Sequence, residues 1–293
     1  MSNILITGAG SFVGRNCIKY SKFQDIEEVS LLDKKPEEIN YQHVDVILHL
    51  AAIVHQSKKI PDSQYFKVNR DLVVRVAEQA RKSGVRQFVF LSTVKVYGKY
   101  KPGELPWNEH TKCFPDDAYG KSKYEAENEL RKLENPDFTV TIIRTPLVYG
   151  IGVKANMLSM IKLVNKFSVL PFGKINNRRS FTSVENLVAL IDLVIQKRAS
   201  GIFLALDEKP LSTTDLVKII AKSMDKKIYL IPVPQILIKI GRVIYSRIFE
   251  RLYGSFEMDN SYTVNTLGFK PKVTPEEGIG KMVQAYKSIH WSI

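Results

Sequence analysis

The chain has 293 residues, 44% hydrophobic and 25% charged, a composition that excludes wholesale disorder. Its two cysteines, Cys17 and Cys113, are too few and too scattered for a disulfide framework or a zinc site, so no metal is expected. Forty-three Lys+Arg against thirty Asp+Glu leave a net charge of +13, a field that attracts a polyanion, a phosphorylated ligand or an anionic membrane surface. The basic residues are dispersed and no nucleic-acid motif stands out, so nucleic acid is not an expected partner.

Met1-Ser2-Asn3 leads straight into an apolar run, with no basic leader before a cleavable stretch, so no secretory leader is expected. No window of about 20 residues is free of charge, so no spanning helix is expected, and the expected compartment is a reducing cytoplasm. Short branched-rich runs at 4–6, 29–32, 44–50, 87–91 and 139–143 read as buried strands. Between them, 63–83 carries Phe66, Leu72, Val73, Val76, Ala77 and Ala80 at helical spacing and closes on Gly84. Residues 118–133 repeat the helical pattern with Tyr124, Ala126 and Leu130. Strands alternating with such helices define right-handed βαβ units and one doubly wound parallel sheet.

Beyond 150 the pattern turns irregular. A helix is expected near 154–167, then Pro171-Phe172-Gly173, a helix near 184–197 and a strand at 201–206. Thr213-Thr214-Asp215 starts another helix, and Pro232-Val233-Pro234 precedes an apolar-basic segment at 235–253. The expected organisation is a nucleotide-binding domain over 1–150, with part of 177–206 contributing, and a smaller α/β substrate domain over 151–293. Ligands of open α/β sheets bind at the carboxyl ends of the strands, where the second domain would lie.

Thr7-Gly8-Ala9-Gly10-Ser11-Phe12-Val13-Gly14 follows the first strand and opens a helix. Glycines allow a tight turn whose N–H groups approach a pyrophosphate at the helix N-terminus, the signature of a Rossmann-like dinucleotide site. Asp33, expected to close the second strand, would accept the adenosine ribose hydroxyls and repel a 2′-phosphate. NAD is therefore the expected cofactor, with NADP kept open by Lys34 and Lys35.

Further motifs follow in order: His49-Leu50-Ala51-Ala52, Val68-Asn69, Leu91-Ser92-Thr93-Val94-Lys95-Val96-Tyr97-Gly98, Tyr119-Gly120-Lys121-Ser122-Lys123 and Arg144-Thr145-Pro146-Leu147-Val148-Tyr149-Gly150. As a set they resemble the extended short-chain dehydrogenases, the NAD-dependent epimerase/dehydratases of nucleotide sugars. One departure is Ser11, which stands where that family has its middle glycine. The resemblance implies that Thr93, Tyr119 and Lys123 are catalytic. It implies that Thr7, Gly8, Gly10, Ser11, Phe12, Val13, Gly14, Asp33, Leu50, Ala51, Ala52, Asn69 and Ser92, with Tyr119 and Lys123, hold the cofactor.

Tyr119 and Lys123 are four apart on a helix and so emerge on one face. A free tyrosine, with a pKa of about 10, is too weak a base at neutral pH, and a nearby ammonium is expected to lower that value. In the second half, Asn156 resembles the family's nucleotide-binding Asn, and Arg179, aligned through Val184, resembles its diphosphate clamp. Phe172 is a candidate platform for uracil and Arg251 a candidate second clamp.

Among the family's reactions, dehydration uses an Asp-Glu pair directly after the catalytic Thr, where this chain has Val94 and Lys95. Lys95 is instead a candidate contact to the sugar. The short stretch from Asp33 to His49 leaves little room for a full adenine-gripping side, which favours an exchangeable cofactor. The sub-pattern also resembles the 4-ketoreductases of UDP-4-keto-6-deoxy-N-acetylhexosamines from polysaccharide clusters. A reductase at C4 is thus the expected activity. A UDP-glucose or UDP-GlcNAc 4-epimerase is the alternative, and a non-catalytic dinucleotide sensor is a minor one.

A UDP-sugar is the expected ligand. A homodimer pairing helices 64–83 and 118–133 is expected, since Tyr124 and Leu130 would otherwise be exposed. Segment 235–253 is expected to pack on the small sheet of the substrate domain, in preference to peripheral docking on a membrane.

Overall fold

The structure, a computed structural model, describes residues 2–54, 60–99 and 106–290. Its centre is a six-stranded, all-parallel sheet in the order β2-β1-β3-β4-β5-β9. The strands are β1 (Ile4–Thr7), β2 (Ile26–Val29), β3 (Val46–His49), β4 (Gln87–Thr93), β5 (Thr139–Thr145) and β9 (Gly201–Leu204). Every residue of β1, β3 and β5 is buried, as expected of a parallel sheet covered on both faces.

One cover is α1 (Phe12–Tyr20) with α6 (Val184–Gln196), whose Val13, Cys17, Leu187 and Ile191 join Ile6, Leu48 and Val89 in a single cluster. The opposite cover is α3 (Val73–Lys82) with α4 (Ala118–Lys132), where Val76, Ala77 and Leu130 pack on Phe88, Phe90 and Ile142. This is the Rossmann-like α/β fold that the motifs implied. The patterned helix at 63–83 is interrupted: α2 (Asp62–Phe66) passes into α3 through a π turn, Lys67–Leu72.

The second strand differs from the sequence expectation. It occupies Ile26–Val29, and Asp33 lies beyond it in an exposed turn. A β2 that reads Ile-Glu-Glu-Val at the open edge of the sheet needs few apolar residues, so the apolar run just after it was the stronger signal. From β2 the chain reaches β3 through one 3₁₀ turn, Pro36–Glu38, and among the described residues no strand lies outside β2. Sheets of this class usually carry one there.

The smaller unit pairs β6 (Leu147–Tyr149) with β8 (Phe181–Ser183) and β7 (Val169–Gly173) with β10 (Tyr229–Pro232). Around them pack α5 (Ala155–Lys166), α7 (Thr213–Ser223) and α11 (Pro275–His290), whose Ile161, Val217 and Ile279 are buried with Leu170 and Phe172. Buried under this unit, the Tyr149 hydroxyl donates to Asp207 at 2.7 Å, and Asp207 also accepts from Ser183 N and Asn186 Nδ2. Between α7 and α11 the chain forms α8 (Gln235–Ile244), α9 (Ser246–Tyr253) and α10 (Ser261–Leu267). Among the described residues no helix is long and apolar enough to cross a membrane.

The reason offered for a homodimer, and the expected packing of segment 235–253, are corrected. Leu130 is fully buried within the chain and Tyr124 packs beside Val94, Val96 and Trp107, so neither needs a partner subunit to cover it. The helix pair bears intrachain ion pairs instead, Arg70 with Glu125 among them. Segment 235–253 is two helices rather than one. Only its end, Leu252 and Tyr253, packs against the smaller core, while α8 leaves most of its apolar side chains exposed.

Candidate active site

The carboxyl ends of β1, β3, β4 and β5 converge on one edge of the sheet, and the chemistry-bearing residues gather there. After β1, Gly8 adopts φ +103°, and a Cβ at this position would stand 2.7 Å from Ala51 N. Only glycine lets the first turn and the loop after β3 approach so closely. Ser11 does more than replace a glycine, because its side chain accepts from Gly14 N at 3.1 Å and caps α1. Gly10 N points at both carboxylate oxygens of Glu28, 3.3 Å away, so an anion already sits at the donors of this turn. A Cβ on Gly10 would meet nothing within 4 Å. Open, positively polarised backbone at a helix N-terminus fits the pyrophosphate of a dinucleotide. Phe12 lies beneath Gly152, and Val13 faces the core. Asp33 does not close the strand beside this turn; the β2 carboxylate that reaches it is Glu28, which the sequence reading missed.

Thr7 and His49 lock β1 to β3. His49 is fully buried, with Nδ1 2.8 Å from the Thr7 hydroxyl and Nε2 3.1 Å from the Ala51 carbonyl. A carbonyl only accepts, so Nε2 carries the hydrogen and Thr7 donates to Nδ1. Burial, and then the charge of Lys123, pushes the His49 pKa down to about 3, which keeps the ring neutral. Asn69, in the π turn, clamps the next residues. Its Oδ1 accepts from Ile53 N at 2.8 Å, and its Nδ2 donates to Ile53 O and to the Ser122 hydroxyl. The loop through Leu50, Ala51 and Ala52 is thereby held between β1 and α4.

The catalytic candidates are brought together. Asp117 caps α4 by accepting from Gly120 N at 2.7 Å, and its other oxygen pairs with Lys95 Nζ at 2.5 Å. Lys95 therefore ties the end of β4 to the helix that carries Tyr119. The Tyr119 hydroxyl is hydrogen-bonded to Thr93, itself at the end of β4. Burial pushes the Tyr119 pKa up to about 12, with the Thr93 bond opposing and the Asp117 charge adding to the rise. This runs against the expected lowering by the ammonium. Lys123 Nζ lies 4.0 Å above the Phe90 ring, and burial pushes its pKa down to about 7 against the pull of Glu127. Ser92 turns away from this face and donates to Glu127 at 2.5 Å. Glu127, one helical turn past Lys123, forms a buried ion pair with Arg144, whose Nη1 also donates to Tyr97. Tyr119, Lys123 and Glu127 at four-residue intervals gave the readable signal for this third member.

The substrate-binding candidates divide. Arg179 is half-buried and donates to the Glu250 and Gly254 carbonyls at 3.1 and 2.9 Å, at the end of α9. Burial lowers its pKa, with Glu250 opposing and the nearby Arg251 adding to the fall. Two guanidinium groups distant in sequence thus share one place, and Arg251 is exposed with no described carboxylate paired to it. Asn156 is exposed in the first turn of α5, after Ala155 at φ +54°. Phe172 is not a platform for a base. It is 3% exposed inside the smaller core, its ring against Tyr253, because its position on β7 points inward. Among the described residues no cluster of side chains could hold a metal ion.

A Gly-rich turn on β1 and a Thr-Tyr-Lys set across β4 and α4 together define a nicotinamide-dependent oxidoreductase of the short-chain type. Residues 4–204 match the NAD dependent epimerase/dehydratase family, and the chain belongs to that family. It is 35% identical to a UDP-glucose 4-epimerase of Vibrio cholerae, over 97% of this chain and 95% of that protein. It is 26% identical to an N-acetyl-alpha-D-glucosaminyl-diphospho-ditrans,octacis-undecaprenol 4-epimerase of Escherichia coli O157:H7, over 98% and 96%. The fold is shared with a UDP-glucuronic acid 4-epimerase of Bacillus cereus in complex with NAD, at TM-score 0.77 and 17% identity over 98% and 99% of the chains. The chain is accordingly an enzyme of nucleotide sugars, an epimerase or a reductase, with NAD as its cofactor.

Proposed function

We propose that the chain is a 4-epimerase of a UDP-hexose or UDP-N-acetylhexosamine, the alternative rather than the reductase that the motifs first favoured. The observation that carries this reading is the 35% identity, along nearly all of both chains, to the epimerase of Vibrio cholerae. Bound NAD would supply the redox step at sugar C4. The chain's own residues do the rest. Tyr119 takes the proton of the 4-hydroxyl and later returns one, and Thr93 holds the same oxygen in line. Lys123, with a pKa near neutrality and one turn along the helix, feeds that proton exchange. Arg179 and Arg251 grip the diphosphate, and Asn156 contacts the nucleotide. Lys95, already paired with Asp117, orients α4 rather than the sugar.

Reduction of a UDP-4-keto-6-deoxy-N-acetylhexosamine is the second reading, and the abbreviated stretch between β2 and β3 favours it. A trimmed adenine side suits a cofactor that leaves after each turnover. Free Cys17 and Cys113 fit a reducing cytoplasm, the compartment in which nucleotide sugars and NAD meet.

A paired assay decides between them. UDP-Glc or UDP-GlcNAc is incubated alone, and the 4-keto substrate is incubated with NADH or NADPH. Formation of the C4 isomer without added nucleotide is the expected result. Stoichiometric loss of reduced-nicotinamide absorbance with the keto sugar, and no isomer from the first, would overturn the epimerase reading.

A further inference from the structure

Eleven of the eighteen large hydrophobic side chains exposed among the described residues fall in two short stretches, 167–169 and 229–248. The densest part is α8. Ile236, Leu237, Ile240, Val243 and Ile244 recur at the spacing of one helix face and are 48–85% exposed. The opposite side of α8 is closed by α9. The Phe249 ring lies so near Gly241 that a Cβ there would be 2.1 Å from ring Cζ. Glycine at this point lets two short helices fold back on each other, and the hairpin turns its apolar stripe outward. Tyr245, at the break between them, and Ile248 extend the apolar surface.

Its charge is one-sided. Residues 235–253 hold Lys239, Arg242, Arg247 and Arg251 against the single carboxylate Glu250, in a chain of net charge +13. Lys239 is exposed at the border of the stripe. A second copy of the same surface would meet it with like charge. An apolar face bordered by Lys239, in a segment rich in cations, matches the interface of an anionic bilayer, where the stripe sinks between headgroups and basic side chains meet their phosphates. The hairpin is too short to span, so it lies in the plane of the surface.

We propose that the α8–α9 hairpin docks this enzyme on an anionic membrane surface. The same α9 ends at the carbonyls held by Arg179 and at Arg251, so the docked element runs directly into the diphosphate-binding side of the site. Docking would hold the site's mouth at the membrane surface.

Vesicle flotation of the full chain tests this. Vesicles of phosphatidylcholine alone are compared with vesicles that also contain phosphatidylglycerol. The wild type should float with the anionic vesicles at low salt and be released at high salt. Val243→Glu and Ile236→Glu, at exposed positions, should abolish flotation while leaving the melting temperature and turnover of the nucleotide sugar unchanged. Changing Lys239, Arg242 and Arg247 to Gln should weaken vesicle binding by about a hundredfold. A wild type that stays with the unbound fraction at low salt overturns the proposal. So does equal binding to both vesicle types, or a dimer in light scattering that Val243→Glu converts to a monomer, since a second copy would then cover the face. Because turnover is read separately, failure here leaves the epimerase reading standing.

Discussion

Glu127 and Arg144 form an ion pair at 2.6 Å with side chains only 1% and 3% exposed, and Glu127 lies one helical turn past the catalytic candidate Lys123. Glu127 also accepts from Ser92, and Arg144 donates to Tyr97. Burial works against the Arg144 charge, but the Glu127 carboxylate outweighs it and holds the guanidinium pKa above its usual value. A buried pair of this kind is costly to break from one side only. Glu127→Gln should lower stability by about 3–5 kcal/mol, because Arg144 is left charged and uncompensated. The double change Glu127→Leu with Arg144→Met should recover most of that loss. Thermal or urea melts of the three proteins check this, and a double variant no more stable than the single one would contradict it.

Tyr119→Phe removes only the hydroxyl that is bonded to Thr93. Turnover should fall by about 10²–10⁴-fold, the usual worth of a positioned acid–base group. NAD binding, followed by fluorescence quenching, should survive, since the turn at Gly8–Gly14 is untouched. Residual turnover within tenfold of wild type would remove Tyr119 from its role.

His49 gives a pH dependence with a definite sign. Its pKa in the folded chain, about 3, lies below the ordinary histidine value of 6.5, so the unfolded chain binds more protons between those values. Stability from this group is therefore complete above pH 6.5 and is lost as the pH falls from 6.5 towards 3. The slope is at most about 1.4 kcal/mol per pH unit. His49→Gln, which keeps a donor and an acceptor, should flatten the fall of melting temperature across that window. An unchanged pH profile would show that the ring charges without cost.

Phe172 should prove to be a core residue in solution. Phe172→Ala should cost about 3–5 kcal/mol of stability, and Phe172→Leu much less. Phe172→Leu should also leave KM for the nucleotide sugar near wild type. A large rise in KM with stability preserved would restore the stacking role.

What the sequence made legible was local. The turn from Thr7 to Gly14 and the Tyr119–Lys123 spacing depend on neighbours a few residues away, and periodicity placed the sheet's inner strands and the helices of 118–133 and 184–197. Edges and depth were not legible. β2 is polar because it ends the sheet, so the apolar run after it drew the expected strand on to residues 29–32, with Asp33 at its end. Phe172 follows a proline and precedes a glycine, as a loop residue would, yet pairing of β7 with β10 turns it into the core. The outward face of α8 was equally hidden, since an apolar helix reads alike whether a partner element covers it or not. The direction of the Tyr119 shift also lay out of reach, because it depends on how deep the hydroxyl sits rather than on which cation is near.

The π turn at Lys67–Leu72 makes this helix one residue richer than a regular helix of the same rise would be. Deleting a single residue from it would cost no hydrogen-bonded turn, so the helix itself should tolerate the loss. The flanking turns would keep their phase, because a π turn closes the same full circle with one residue more. Tyr65, whose ring meets that of Tyr119 edge-on at 6.4 Å, would stay in place, while Asn69, inside the turn, would leave the Ile53 backbone. The extra residue thus swings one side chain onto the loop after β3 without turning the two halves of the helix against each other.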